Sequence, residues 1–490
     1  MKNGNSHRKP TILESYLTLF LAALCILAAA LLKAPIQAGV MAACAISFLM
    51  ARRLGFTWTE LEERIHKRIG KLAGTMMIMW MIGFLLGSML YSGLLPMLVY
   101  YGFELVDPRF LYLSALLACM AMSTMTGSSW SAAGTAGVAC MALAHGLGAD
   151  PGIMAGAVVA GSVFGDKLSP MSETTNLAPA CAGTDLYSHI KSQLWTTVPV
   201  ISLAAIAFVF LGRGMGAQGE LPELAITIQE QLDMLYVWNP VLLLPILALL
   251  VLSLLKAPVV PVMFICGALN LVLGWIVQGT TLVTGLTACV TGFKTDMIAP
   301  AGLDIHEKVG YILNRGGMTG MVSIILICFC GFSMTTILAK VGFLEAAVRP
   351  LSRFADQRWK TMLTAELATL AVAGMAGISY MSSVFVGEAW REPFLKNRMG
   401  LPCLSRTLED VGTCCTAIIP WCSSAVFFST TLNVPIWGEG GFALYTFLPF
   451  LCPVAAFLLS VFGIAMYPAP EEQADAEIRD GDVGDAFPIE

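Results

Sequence analysis

"GSVFGDKLSPMSETTNLAP", residues Gly161–Pro179, interrupts a chain built mainly of apolar runs. Its nineteen residues include Asp166, Lys167, Ser169, Ser172, Glu173, Thr174, Thr175 and Asn176, with Pro170 and Pro179 among them. Pro170 removes a backbone donor and favours a helix break nearby. In lipid each unpaired N–H or carbonyl costs several kcal/mol, so a break survives only where protein encloses it or a wet cavity touches it. The stretch therefore reads as a helix interrupted inside the membrane region.

Composition outside the stretch agrees. The 490 residues are 57% hydrophobic and only 12% charged, against about 25% charged in soluble domains. Apolar stretches of about 16 to 25 residues recur (Leu17–Leu32, Leu72–Tyr91, Leu194–Leu211, Pro240–Leu255, Met321–Leu338 and Phe442–Met466), close to the length that crosses the hydrocarbon as a helix. The fold class is an all-α polytopic membrane protein with about 11 to 13 crossing or half-crossing segments. The first run leads into a second at Pro35–Ala51 without a cleavage site, so it reads as a retained span.

Nearly all fourteen cysteines lie in apolar runs, where free cysteine behaves as a small hydrophobe. No pair of CxxC motifs suggests a metal or redox role. Of the net charge of −5, the tail Tyr467–Glu490 carries −7 and the remainder +2. That tail, poor in aromatics, reads as disordered. Nothing basic enough to bind nucleic acid appears.

Lys2, Arg8 and Lys9 precede the first span, and Arg52, Arg53, Arg64, Lys67, Arg68 and Lys71 follow the second. The positive-inside rule places both groups, and the N-terminus, in the cytoplasm of a cell-membrane protein. Thr57 and Glu60 have capping-box spacing. Trp58, Leu61, Ile65 and Ile69 then line one face, as in an interfacial anchoring helix. Two further basic loops, Arg349–Lys360 and Arg391–Gly400, share a face only if the segment between them fails to cross.

The weakly hydropathic Gly212–Met234 divides the membrane region. The expected organisation is an N-terminal segment (1–11), a first repeat (12–211), a polar connecting loop (212–235), a second repeat (236–466) and the tail (467–490). Interrupted segments fall at comparable places in the halves: Met122–Gly137 and Gly161–Pro179, then Gly374–Trp390 and Leu408–Pro435. Such pairs point to two inverted repeats with broken helices around a binding site.

Broken helices expose carbonyls and helix ends, and small hard cations prefer oxygen ligands. Asp166 and Glu173 supply charge. Ser169, Ser172, Thr174, Thr175 and Asn176 supply neutral oxygens. Glu388, Glu409 and Asp410, with Thr413 beyond, extend the set into the second half. A hydroxyl in a membrane helix often only bonds back to a carbonyl, whereas an intramembrane acid defaults to a functional hypothesis. Lys167 can snorkel to an interface, and its neighbour Asp166 does not face it. Glu366 fits a helix end near Lys360 as readily as a site. "TGSSWSAAGTAG" (Thr126–Gly137) fits close packing or a polar lining. Removing a carboxylate from water disfavours its charged form, so proton and cation compete for one negative site.

"GDKLSPMSETTNLAP" closely resembles the signature GDKxSPLSDTTNLAP of the NhaC family of sodium/proton antiporters. "TGSSWSAAGTAGVA" and "LEDVGTCCTAIIPWCSSAVFFSTTLNVP" resemble two further motifs of that family. The likeness runs from about Leu72 to Met466. It implies helical hairpins in inverted repeats, a dimer, and exchange of Na+ for H+. It implies site positions Asp166, Ser169, Ser172, Thr174, Thr175 and Asn176, with Glu409, Asp410 and Thr413 in the second half. Asp166, Glu173 and Asp410 are the expected ligands of the transported Na+, with no resident cofactor. Glu173 replaces the usual aspartate, Cys422 a common asparagine, and Glu388 stands in an altered "VGEAW".

Exchange coupled to a small organic acid lies within the same family's range; it needs a cation for the carboxylate, and Arg315, beside a glycine-rich break, is the candidate, although the position equally fits a loop arginine. A serine enzyme is the other class, since "GISY" (Gly377–Tyr380) and "GFSM" (Gly331–Met334) match a short protease pattern. Neither HExxH nor GxxxxGK[ST] occurs, and the chain reads as a transporter rather than an enzyme.

Overall fold

The computed structural model describes residues 7–32, 34–213, 223–255, 257–300 and 303–467. The acidic tail beyond Tyr467, expected to be disordered, and residues 1–6 and 214–222 lie outside the described residues. The described residues are helical, with no strand. Five helices are long and apolar enough to cross a membrane: Ile12–Ala29, Pro108–Thr126, Leu186–Gly212, Val260–Val277 and Met318–Val341. Two bent pairs, Met76–Ser92 with Leu94–Leu105 and Leu224–Leu235 with Pro240–Leu252, raise the count to seven. Polar breaks divide the other crossings into helices too short or too polar to pass alone. The larger number expected from the sequence included those half-crossings.

Helices α1 (Ile12–Leu31) and α2 (Ile36–Arg53) pack on each other ahead of α3 (Trp58–Ser92). Thr57 and Glu60 do form the expected capping box. The helix they start, however, runs on for 35 residues, because apolar residues continue without a breaker until Gly93. The interfacial helix is thus the first turns of a longer one. Gly93 turns the chain by 69° into α4 (Leu94–Leu105).

The first unit that shapes the site follows. Helix α5 (Leu111–Thr126) ends at Gly127, which has φ +67°, a left-handed conformation costly for any residue with a Cβ. The chain turns back through α6 (Ser129–Ala132), a π-helical turn (Ala133–Gly137) and α7 (Val138–Gly146). Asp150 and Pro151 then start α8 (Pro151–Leu168) with a side-chain cap. Pro170 holds Ser169 extended (φ −75°, ψ 125°) and ends α8. After the break α9 (Glu173–Ala182) resumes, and α10 (Leu186–Gly212) crosses the bundle.

The connecting segment is partly helical: Glu223–Leu235 forms α11, with Ala225, Ile228 and Leu232 buried. Next come α12 (Leu244–Leu254), α13 (Val259–Val277), α14 (Leu282–Thr291), α15 (Glu307–Leu313), α16 (Val322–Val341) and α17 (Phe343–Ser352).

The second unit is again a helix, a glycine tip and a returning helix. Helix α18 (Arg358–Ala376) ends at Gly377, φ +71°, and the chain doubles back as α19 (Ser379–Ala389) and α20 (Arg391–Lys396). Then α21 (Leu401–Thr407), a π-helical turn (Leu408–Thr413) and α22 (Cys414–Thr416) lead to a break at Pro420, before α23 (Ser423–Leu432) and α24 (Leu448–Phe462). Arg358 bonds the Asn397 carbonyl at 3.3 Å, so both ends of the α18–α19 hairpin lie at one end of the bundle. The basic loops Arg349–Lys360 and Arg391–Gly400 therefore share a face, because the segment between them does not cross.

The hairpins enter from opposite ends. Helix α8 starts beside α5, where the Asp150 N–H meets the Tyr112 hydroxyl at 3.0 Å. Its continuation α9 ends where Arg391 bonds the Cys181 carbonyl at 2.7 Å, at the base of the other hairpin. The broken path α8–α9 thus joins the base of one hairpin to the base of the other. In the reverse sense, α21 starts beside Met466 (Gly400 N–H to carbonyl, 3.0 Å), and Asn433, just past α23, bonds Tyr311, which packs on His145 of α7.

The two tips are not equally tolerant. A Cβ on Gly127 would lie 2.7 Å from the Met171 backbone, whereas one on Gly377 would be 3.5 Å from its nearest neighbour. Both alanine variants carry the left-handed cost of about 1–2 kcal/mol. Gly127→Ala is expected to lose more thermal stability in detergent than Gly377→Ala, since it also displaces the α8–α9 break. Equal losses would show that the crossing at Met171 is not tight.

Candidate functional site

The two tips meet the two breaks. Gly127 lies against Met171, and the Ser423 N–H donates to the Gly377 carbonyl at 2.9 Å. The C-terminal ends of α5, α8, α18 and α22 therefore gather with the N-terminal ends of α6, α9, α19 and α23. Each end carries a partial charge of about half a unit, negative at the C-terminus. Between them lies a cavity of about 170 Å³. Ser129, Asp166, Glu173 and Thr174 line it from the first unit; Tyr380, Thr413, Thr416 and Ser423 line it from the second.

Asp166 is the best-held acid in the chamber. One carboxylate oxygen accepts from Ser129 and the other from Ser172, both at 2.6 Å. Its backbone carbonyl accepts from Thr175 at 2.6 Å. Ser172 and Thr174 hydroxyls lie 3.1 Å apart, extending the row of oxygens. Each hydroxyl that donates keeps lone pairs for a cation. Glu173 stands exposed in the first turn of α9, on the cavity wall. Glu409 is 1% exposed, has one oxygen without a partner among the described residues, and lies within electrostatic reach of Asp166, Thr174 and Thr413.

Other expected site residues stand elsewhere. Ser169 donates to the Thr124 carbonyl at 2.8 Å and so closes the hairpin. Asn176 donates to the Pro170 and Ser172 carbonyls at 2.9 and 2.7 Å, which ties the break together. Glu388 is exposed near the end of α19, on the Cys181–Arg391 side, and does not line the chamber. Cys422 caps α23 and turns its sulfur to the Ala373 carbonyl, 3.8 Å away. Arg315 lines a separate polar cavity of about 670 Å³ with Glu307 and Tyr311.

Asp410 has a different partner from the one expected. It is fully buried and accepts from the Lys167 ammonium at 2.5 Å and from the Thr196 hydroxyl at 3.1 Å. Lys167, rather than snorkelling outward, is itself 0% exposed. Consecutive helical residues point about 100° apart. Asp166 thus faces the chamber while Lys167 faces α10 and the second π-helical turn; Glu409 and Asp410 divide in the same way. The structure also adds Ser129, Tyr380 and Thr416 to the chamber. The sequence spaces the tips and breaks alike: Gly127 precedes Pro170, and Gly377 precedes Pro420, each by 43 residues.

Ser379, the serine of "GISY", begins α19 on the chamber wall, and no histidine lines that wall. A polytopic helical bundle whose helices break in pairs around an acidic chamber belongs to the class of secondary transporters. A profile of the Na+/H+ antiporter family matches residues 7–175 and 161–464. An uncharacterized Na(+)/H(+) antiporter of Haemophilus influenzae is 33% identical over 436 residues, covering 89% of this chain and 93% of that protein. The Na(+)/H(+) antiporter NhaC of Alkalihalophilus pseudofirmus is 31% identical, covering 89% and 91%. The malate-2H(+)/Na(+)-lactate antiporter of Bacillus subtilis is 29% identical, covering 93% and 95%. The chain belongs to the Na+/H+ antiporter family.

Proposed function

We propose that the protein exchanges Na+ for H+ across the cell membrane by alternating access at the chamber around Asp166. The observation that carries this reading is the bracing of Asp166 by Ser129 and Ser172 at a cavity whose other wall includes Thr413 of the second unit, with Glu409 within electrostatic reach. Na+ takes the place of the proton on Asp166, with hydroxyl oxygens and Glu409 completing its shell. Site occupation then permits the units to rock. No covalent step is involved, so the protein acts as a transporter and not an enzyme.

The opposed hairpins and the equal 43-residue spacings support two inverted repeats, within 12–211 and 236–466. The bases Arg52, Arg53, Arg358, Lys360, Arg391 and Lys396 gather at the end where Tyr16 meets Ala347, which supports a cytoplasmic N-terminus. The assembly in this reading is a homodimer, which light scattering of the detergent-solubilised protein tests.

The test is dissipation of a pH gradient in everted vesicles by Na+, Li+ and K+ across pH. Na+-dependent dissipation is expected, and its absence in folded protein refutes the exchange. Glu173 is one methylene longer than the family's usual aspartate and stands at the chamber wall. Glu173→Asp is expected to keep exchange while shifting the Na+ concentration for half-maximal rate by about tenfold or less, the scale of an outer ligand. A folded but inactive variant would instead make that methylene essential.

A second reading, exchange coupled to a small carboxylate, has support from the Bacillus subtilis relative and from the Arg315 cavity. Labelled lactate or malate uptake into proteoliposomes, lost in Arg315→Gln, is its expected signature.

A further inference from the structure

Helix α10 is apolar enough to cross a membrane, yet His189, Ser192, Gln193, Thr196 and Thr197 are all 0% exposed on one of its faces. Burying that much polarity in a bilayer protein is costly unless every group finds a partner. Several do not. His189 Nε2, Ser192 Oγ, Gln193 Oε1, Thr197 Oγ1, Glu366 Oε1, and Arg406 Nε and Nη2 have no hydrogen-bond partner among the described residues. Among the described residues the Arg406 side chain, also 0% exposed, donates to the Ala465 carbonyl at 3.5 Å.

These groups form one column. His189 Nδ1 meets Ser405 at 2.9 Å, Gln193 reaches the Arg406 carbonyl at 3.5 Å, and Thr196 bonds Asp410. Glu366 sits within electrostatic reach of Arg406 on α21, Asp410 on the π-helical turn and Cys415 on α22. The column runs from the Gly400–Met466 end of the bundle toward the second π-helical turn, about 15 Å along the helix. His189, Gln193, Glu366 and Arg406 do not line the Asp166 chamber. Orphaned polar atoms converging in a protein interior are the usual partners of buried water.

We propose that this column is a hydrated proton path between the Gly400–Met466 end and the Asp166 chamber, with Glu366 as the carboxyl that relays protons to and from Asp166. The proposal rests on the Na+/H+ exchange put forward above. A proton released on the Asp166 side reaches the Glu366 carboxylate by water, binds it, and leaves to water at the Gly400–Met466 end, which shares the basic, cytoplasmic face of Arg358 and Arg391. Arg406 keeps the ionised carboxylate soluble in the interior between transfers. The cation never enters the column, since Arg406 and Lys167 repel it.

Two assays on the full-length protein in proteoliposomes separate the possibilities. One follows Na+-driven proton movement with a pH dye; the other follows radioactive Na+ counterflow, which moves no net proton. Glu366→Gln is expected to slow proton movement by about a hundredfold, the scale of a lost proton-transfer group, with counterflow within about twofold. Gln193→Leu is expected to act in the same direction, and Glu366→Asp to recover most of the rate. Equal loss in both assays would make Glu366 a structural counterion of Arg406 and overturn the path, as would no change in either. In those cases the wild-type exchange stands. A wild type that is silent in both assays refutes the exchange itself and the path with it.

Discussion

Asp166→Asn is expected to abolish Na+-driven proton movement while the protein folds as before. The substitution removes the charge that the Ser129 and Ser172 hydroxyls hold in the chamber. A unit charge 4 Å from a cation contributes about 4 kcal/mol at an effective dielectric of 20, or roughly a thousandfold in affinity. The amide oxygen still accepts one of the two serine bonds, and the Thr175 bond goes to the unchanged backbone. Thermal unfolding in detergent should therefore move little. Loss of Na+ counterflow together with proton movement would place the defect at the shared site. Normal exchange in the variant would remove Asp166 from the mechanism.

Lys167→Met is expected to cost folded protein rather than turnover alone. The ammonium is fully buried and bonded to Asp410. Methionine has nearly the same length and would leave Asp410 charged, with Thr196 as its remaining donor. Breaking a buried pair from one side typically costs about 3–5 kcal/mol. Adding Asp410→Asn in the same chain removes the stranded charge and should restore much of the loss. Thermal unfolding of the single and double variants measures both effects. A single variant as stable as the wild type would show that the ion pair does not support the fold.

The broken helices were legible because proline and left-handed glycine act locally. Pro170 dictates the extended Ser169, and Gly127 and Gly377 terminate their helices whatever surrounds them. The capping box at Thr57 and Glu60 is similarly local. Its helix length was not, because a lipid-facing run after a surface turn gives no stop signal. The polar face of α10 was present as His189, Ser192, Gln193, Thr196 and Thr197, spaced three and four residues apart. Among apolar neighbours it did not stand out from ordinary membrane-helix hydroxyls.

The sequence by itself determined the membrane class, the positions of the four interruptions and the acids they carry, since each depends on hydropathy or on the conformational limits of single residues. Only the tertiary structure decided where those acids point. Asp166 and Lys167 are neighbours in sequence but face different compartments, and Lys167 finds Asp410 from 243 positions away. Helix rotation and the opposed entry of the hairpins set that division, and both follow from packing among elements far apart in the chain.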